Sequence, residues 1–241
     1  MSAFRISKYE ITREQFLSIM GTDPSNTERS SGITDPVQMV NWYHALAFCN
    51  KLSISEDLEP VYSVSGVNFA TLSFADVPTS KNTTWDAAAC DWSANGYRLP
   101  TMMEWMWAAM GADQDSQPGA MSAGVNVTGY EKEFAGSNGS NSLDAYAWYS
   151  ENSDQKTHPA GSKLANELGL YDMSGNVYEW CWDRYDSSPA FDVSDYRGPD
   201  TGSAVYLKGG DWNSDLGLAV YCYSPGPYYR DAGYGFRVVR P

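Results

Sequence analysis

Residues 169–182 read GLYDMSGNVYEWCW, and the pieces LKGGDW at 207–212 and GFRV at 235–238 follow it. Glycines set close to tryptophans suit tight turns packed against large apolar side chains, which is how a rigid frame is written. Between the last two pieces, residues 213–234 read NSDLGLAVYCYSPGPYYRDAGY, a stretch of tyrosine, glycine and serine with a different character. The contrast between frame and filling governs how the rest of the chain is read.

Of the 241 residues, 42% are hydrophobic and 14% aromatic, enough to bury one sizeable core. Formal net charge is -14, with 16 Lys and Arg against 30 Asp and Glu and no basic cluster. That balance argues against nucleic acid and anionic membrane surfaces as partners. No apolar run approaches the roughly 20 residues of a membrane-spanning helix, so direct membrane insertion is not expected. Cys49, Cys90, Cys181 and Cys222 form no C-x-x-C pair, which argues against a zinc site. Free thiols are the default, and one or two disulfides stay open. Two histidines, with no H-E-x-x-H, nucleophile elbow or phosphate loop, supply no catalytic constellation. Neither an internal repeat nor a linker marks a boundary, so one domain over residues 1–241 is the economical count.

Three amphipathic helices are expected. Thr12 and Gln15 make a capping box ahead of Phe16, Leu17 and Met20, with Gly21 as the stop. Asn41 caps a second helix in which Trp42, Ala45, Leu46, Cys49 and Leu52 recur at helical spacing, so Cys49 reads as packing and His44 as structural. Thr101 and Glu104 repeat the box before Trp105, Trp107 and Ala109, with Gly111 as the stop. Residues 113–126 and 136–143 read as long loops. Short strands are expected at 4–10, 147–149, 177–181, 204–208, 219–223 and 236–239.

Residues 4–16 (FRISKYEITREQF), 36–53 (PVQMVNWYHALAFCNKLS), 96–109 (GYRLPTMMEWMWAA), 169–180, 209–212 and 235–237 resemble, in order, the successive motifs of the formylglycine-generating enzyme family, also called the sulfatase-modifying-factor family. The resemblance implies an α+β fold of the C-type lectin type, with short mixed strands, several helices and long irregular loops. Active members carry two copper-binding cysteines, four and nine residues past the second glycine of the Gly-Gly pair. Counted from Gly210, those places hold Ser214 and Ala219. A hydroxyl and a methyl are not soft copper ligands, so no copper and no oxidation of a substrate cysteine are expected. Cys222, three positions further on, would supply half of the pair. A divergent oxidase, or a degenerate regulatory relative of it, is the alternative.

The filling holds Tyr221, Tyr223, Tyr228, Tyr229 and Tyr234 among Ser, Gly, Asn and Asp, a composition similar to antibody binding loops. An ordinary Tyr-, Gly- and Ser-rich loop of a secreted protein is the other reading. From Asn213 through Tyr234 there is no Lys, Glu, Gln, Met or Trp, the five residue types that no codon ending in C or T encodes. In this respect the chain resembles a second group within the same fold, the variable proteins of diversity-generating retroelements. In that group a C-terminal segment is randomised by an error-prone reverse transcriptase and lines a ligand-binding face. The variable segment would be 211–234, framed by Gly209, Gly210 and Trp212 before it and Gly235, Phe236 and Arg237 after it. By the same resemblance the binding positions are Asp211, Asn213, Ser214, Asp215, Leu216, Gly217, Tyr221, Tyr223, Ser224, Gly226, Tyr228, Tyr229, Asp231, Ala232, Gly233 and Tyr234. The partner implied is a protein or other macromolecular ligand, and no cofactor is required.

Family members also hold calcium in the segment that matches residues 170–180. Carried over by position, the ligands of a structural calcium would be the side chains of Asp172 and Glu179 with carbonyls near Met173, Gly175 and Val177, a hard-oxygen set. The alternative is that Asp172 and Glu179 serve as metal-free hydrogen-bonding groups. A binding face is useful outside the cell, so cell-surface or extracellular display is expected, although residues 1–6 show neither region of a signal peptide. A leader or lipid anchor would then be absent from this chain.

Overall fold

In the computed structural model the described residues are 2–111, 121–122, 125–126, 132–185, 195–215, 222–223 and 225–241. Strand β1 (Arg5–Ile6) is followed by helix α1 (Arg13–Met20) and helix α2 (Trp42–Ser55). Then come β2 (Tyr62–Ser63), the short helix α3 (Thr83–Asp86), β3 (Ala89–Cys90) and helix α4 (Met102–Ala109). A small ladder pairs β4 (Met121–Ser122) with β5 (Val125–Asn126). The last elements are β6 (Tyr178–Arg184), β7 (Val205–Lys208), β8 (Cys222–Tyr223), β9 (Tyr234–Gly235) and β10 (Val239–Arg240).

All three expected helices form where their local signals put them. Thr12 and Thr101 close full capping boxes with Gln15 and Glu104, and Gly21 ends α1 in the left-handed region at φ 71°. Asn41 caps α2, and the His44 side chain returns the bond to the Asn41 N–H. Burial holds the His44 imidazole down to about 3, so it stays neutral, with its ring stacked 4.6 Å from Phe74. Cys49 is fully buried, as packing requires, and Cys49 and Cys90 are free thiols. The α3 turn, capped by Asn82, has too short a pattern to show in sequence.

The central sheet has the order β8-β7-β6-β9, antiparallel except for the parallel β6/β9 pair. Pairing of β1 with β10 brings the two ends of the chain together. The strands expected over 177–181 and 204–208 form as β6 and β7, while the others shrink or shift. Of residues 4–10 only Arg5–Ile6 pair, because Ser7 and Ile11 instead donate singly to Val238 and Phe236 carbonyls. Residues 147–149 form no strand: Trp148 makes one isolated bridge to Gly175, and the Asn152 side chain turns the chain at Tyr149. The strand expected over 236–239 splits into β9 before it and β10 at its end. Of the strand expected over 219–223 only β8 is seen, the rest lying outside the described residues. Residues 113–126, expected as loop, contain the β4/β5 ladder.

Alternation along β6 divides the core. Tyr178 and Trp180 join the cluster built on α1 and α2, while Cys181 joins the cluster built on α4. Trp105 and Trp180 are fully buried, whereas Trp107 and Trp182 are half-buried at the edges of the two clusters.

Candidate functional site

The frame of the site begins at Gly209 and Gly210, both at positive φ (96° and 75°). A Cβ on Gly209 would sit 3.1 Å from the Trp105 ring, so the glycine lets the strand end pack flat on α4. Gly175, at φ 78°, is tighter still: a Cβ there would lie 2.2 Å from the Trp148 carbonyl oxygen. Trp212 is then locked in three ways. Its N–H donates to Asn176 O (2.9 Å), its indole Nε1 donates to Ala232 O (2.9 Å), and its carbonyl accepts from Ser153 Oγ (2.7 Å). Arg29 covers the ring at 5.4 Å.

Across the segment, the returning chain is tied by its peptide groups. Met39 N–H donates to Asp231 O (2.9 Å), Trp42 N–H to Pro227 O (3.0 Å) and Tyr178 N–H to Gly233 O (2.7 Å). The stretch 227–231 thus rides on the N-terminal end of α2, and residue 233 on the start of β6. Tyr234 packs edge-on against Trp180 (5.7 Å) and Tyr178 (6.1 Å).

Between these ties the expected binding positions separate into three groups. Asn213, Asp215, Tyr229 and Asp231 are exposed, Tyr229 at 52%. Ser214, Gly226, Tyr228, Ala232 and Tyr234 are half-buried. Asp211 and Gly233 are buried beneath the face rather than on it. Asp211 folds inward because its Oδ1 accepts from the Asn213 N–H (3.1 Å) and lies 2.7 Å from Ser214 Oγ, while Gly233 leaves the space its carboxylate fills. Burial raises the Asp211 carboxyl above its usual range. Leu216, Gly217, Tyr221 and Ser224 lie outside the described residues, and of Tyr223 only its place in β8 is described. The Tyr228 and Tyr229 rings stack at 4.7 Å, an apolar platform beside the exposed Arg230. Sequence reasoning missed the edge contributed by Ser150, whose N–H donates to Ser214 O and whose Oγ lies 3.0 Å from Asp215 Oδ1. Nothing in the polar stretch around Ser150 marks a partner so distant in sequence.

The two carboxylates of the expected calcium set are engaged to different degrees. Both oxygens of Glu179 are closed by Arg237, at 2.7 Å each, and the Trp105 indole adds a third bond at 2.7 Å. Arg237, wholly buried, already supplies there the positive charge that an ion would bring. Asp172 accepts from Gly161 N–H through Oδ2, and its buried Oδ1 has no partner, so of the two carboxylates this is the one oxygen left open. Among the described residues no group of three His, Cys, Asp or Glu side chains is placed to hold a metal. Burial holds the Asp172 carboxyl up at about 6, and Glu10 is raised well above the carboxylate range by burial and by the nearby charges of Asp172 and Glu179.

Helices capping a small mixed sheet, paired chain ends and a glycine-framed face define a C-type lectin domain of the formylglycine-generating-enzyme type. All of residues 1–241 match the Sulfatase-modifying factor enzyme 1-like domain, and the chain belongs to that family. Among solved structures it is similar to Treponema denticola variable protein 1, at 38% identity and a TM-score of 0.86, covering 100% of this chain and 85% of that one. The Chaperone protein LppX of Paenibacillus barcinonensis is 36% identical over 260 residues, 100% of this chain and 81% of that protein. The formylglycine-generating enzyme of Thermomonospora curvata is 33% identical over 138 residues, 53% of this chain and 42% of the enzyme.

Proposed function

We propose that residues 211–234 form the exchangeable binding face of a non-enzymatic display protein, diversified in the manner of retroelement variable proteins. The observation that carries this reading is the division of labour within the segment. Asn213, Asp215, Tyr229 and Asp231 stand exposed, while four ties from the rest of the molecule run to peptide groups of residues 212, 227, 231 and 233. Binding free energy would come mainly from the tyrosines, which bring large contact area with few rotatable bonds. The partner is a protein or other macromolecule, met at the cell surface or outside the cell. No cofactor and no copper are needed.

Sequencing the gene in sibling strains tests the proposal. Differences are expected to concentrate between residues 211 and 234, with a reverse transcriptase gene and a near-copy of the last coding segment alongside. Uniform scatter along the chain would overturn it. So would tight copper(I) binding together with conversion of a cysteine-containing sulfatase peptide to formylglycine, the outcome demanded by the oxidase reading.

A further inference from the structure

We infer that the cavity walled by Trp42, Trp92 and Trp182 is a second binding site, for a small planar aromatic molecule that carries an oxyanion. Its volume of about 550 Å³ falls within the range of small-molecule sites. Trp182 is the hub of the wall, 5.3 Å from Trp42 and 6.2 Å edge-on from Trp92, and is held from behind by Tyr62 stacked at 5.0 Å. An aromatic body entering this space meets indoles already fixed in place.

Charge distinguishes the site from an ordinary aromatic hollow. Two guanidiniums line it in a chain whose net charge is -14. Arg184 lies 5.2 Å over the Trp42 ring and Arg197 4.2 Å over the Trp92 ring. The Nη2 of Arg184 donates to the Asp86 carbonyl, while its Nη1 is buried with no acceptor. A buried charged donor without a partner is the exception in folded proteins, and an oxyanion is the group that satisfies it, in the bidentate manner guanidinium favours. Two carboxylates also line the cavity. Asp86 is engaged through Oδ1 by the Tyr43 hydroxyl (2.5 Å), and Asp200 is exposed. No ion pair among the described residues joins either to Arg184 or Arg197. Every lining residue falls outside 211–234, so this site would keep one specificity whichever side chains the neighbouring face carries.

Carboxylate and phosphate both fit two guanidiniums, and the probes separate them. Indole-3-acetate, phenyl phosphate, inorganic phosphate and tryptamine are each titrated into the full chain while tryptophan fluorescence and the indole N–H signals are followed. Saturable binding of indole-3-acetate, phenyl phosphate or both is expected, with the stronger of the two naming the anion. Affinity should fall about tenfold or more in both Arg184→Met and Arg197→Gln. Arg184 packs on Trp42, so the exposed Arg197→Gln variant decides the matter should Arg184→Met fail to fold. Tryptamine binding as well as indole-3-acetate, inorganic phosphate binding as well as phenyl phosphate, or no saturable change with either planar anion would overturn the inference. None of these outcomes depends on whether residues 211–234 vary.

Discussion

Single residues already separate frame from face. At Gly175 a methyl group would require both a left-handed backbone and the space of the Trp148 carbonyl, 2.2 Å away. Gly175→Ala should therefore lower stability by at least about 2 kcal/mol in urea denaturation, whereas Asn213→Ala, at an exposed position, should stay within about 0.5 kcal/mol. Glycine at 175 was legible as part of a motif, as was Arg237 in GFRV. What Arg237 does was not legible, because its partner Glu179 lies 58 positions away and only the packed sheet brings them together. The same blindness placed Asp211 on the surface, since no spacing rule announces that a serine three residues on will fold an aspartate inward. Nor could spacing show that Glu179, a candidate calcium ligand, accepts from a guanidinium and an indole.

At the level of elements, helices and the two longer strands were read well and the two-residue strands poorly, for one physical reason. A capping box completes its bonds within four residues, so Thr12, Asn41 and Thr101 carry their own instructions. Strands of two residues exist only through partners far along the chain, and β9 next to β6 or β10 next to β1 is a matter of assembly. One inter-element contact has a measurable pH signature. Asp183 on β6 accepts from the Met102 N–H in the first turn of α4, its other oxygen has no partner, and burial pushes its carboxyl from 3.8 up to about 7. Between those two values the folded chain keeps a proton that the unfolded chain has released, so stability falls as pH rises through that window. Asp183→Asn should flatten this slope in denaturation series between about pH 4 and pH 7, and an unchanged slope would show that the carboxylate is not held as described.

For the whole molecule, the order of six motifs across the chain made the fold legible, and the full-length likenesses agree with it. Composition alone would have said only that an acidic, aromatic-rich chain folds. Because Arg237 already closes both oxygens of Glu179, calcium and a chelator should give the same thermal midpoint. A rise of several degrees with calcium would require Glu179 to exchange its arginine for the metal. The hold on residues 211–234 has a wider consequence. Three of the clasps from the rest of the molecule, Met39 to 231, Trp42 to 227 and Tyr178 to 233, close on carbonyl oxygens, and a fourth joins the residue 212 amide to Asn176. Carbonyls are common to all twenty amino acids, so these clasps recognise that a chain is present without reading its spelling. Side chains on this surface can then be exchanged while those four clasps on the backbone stay the same.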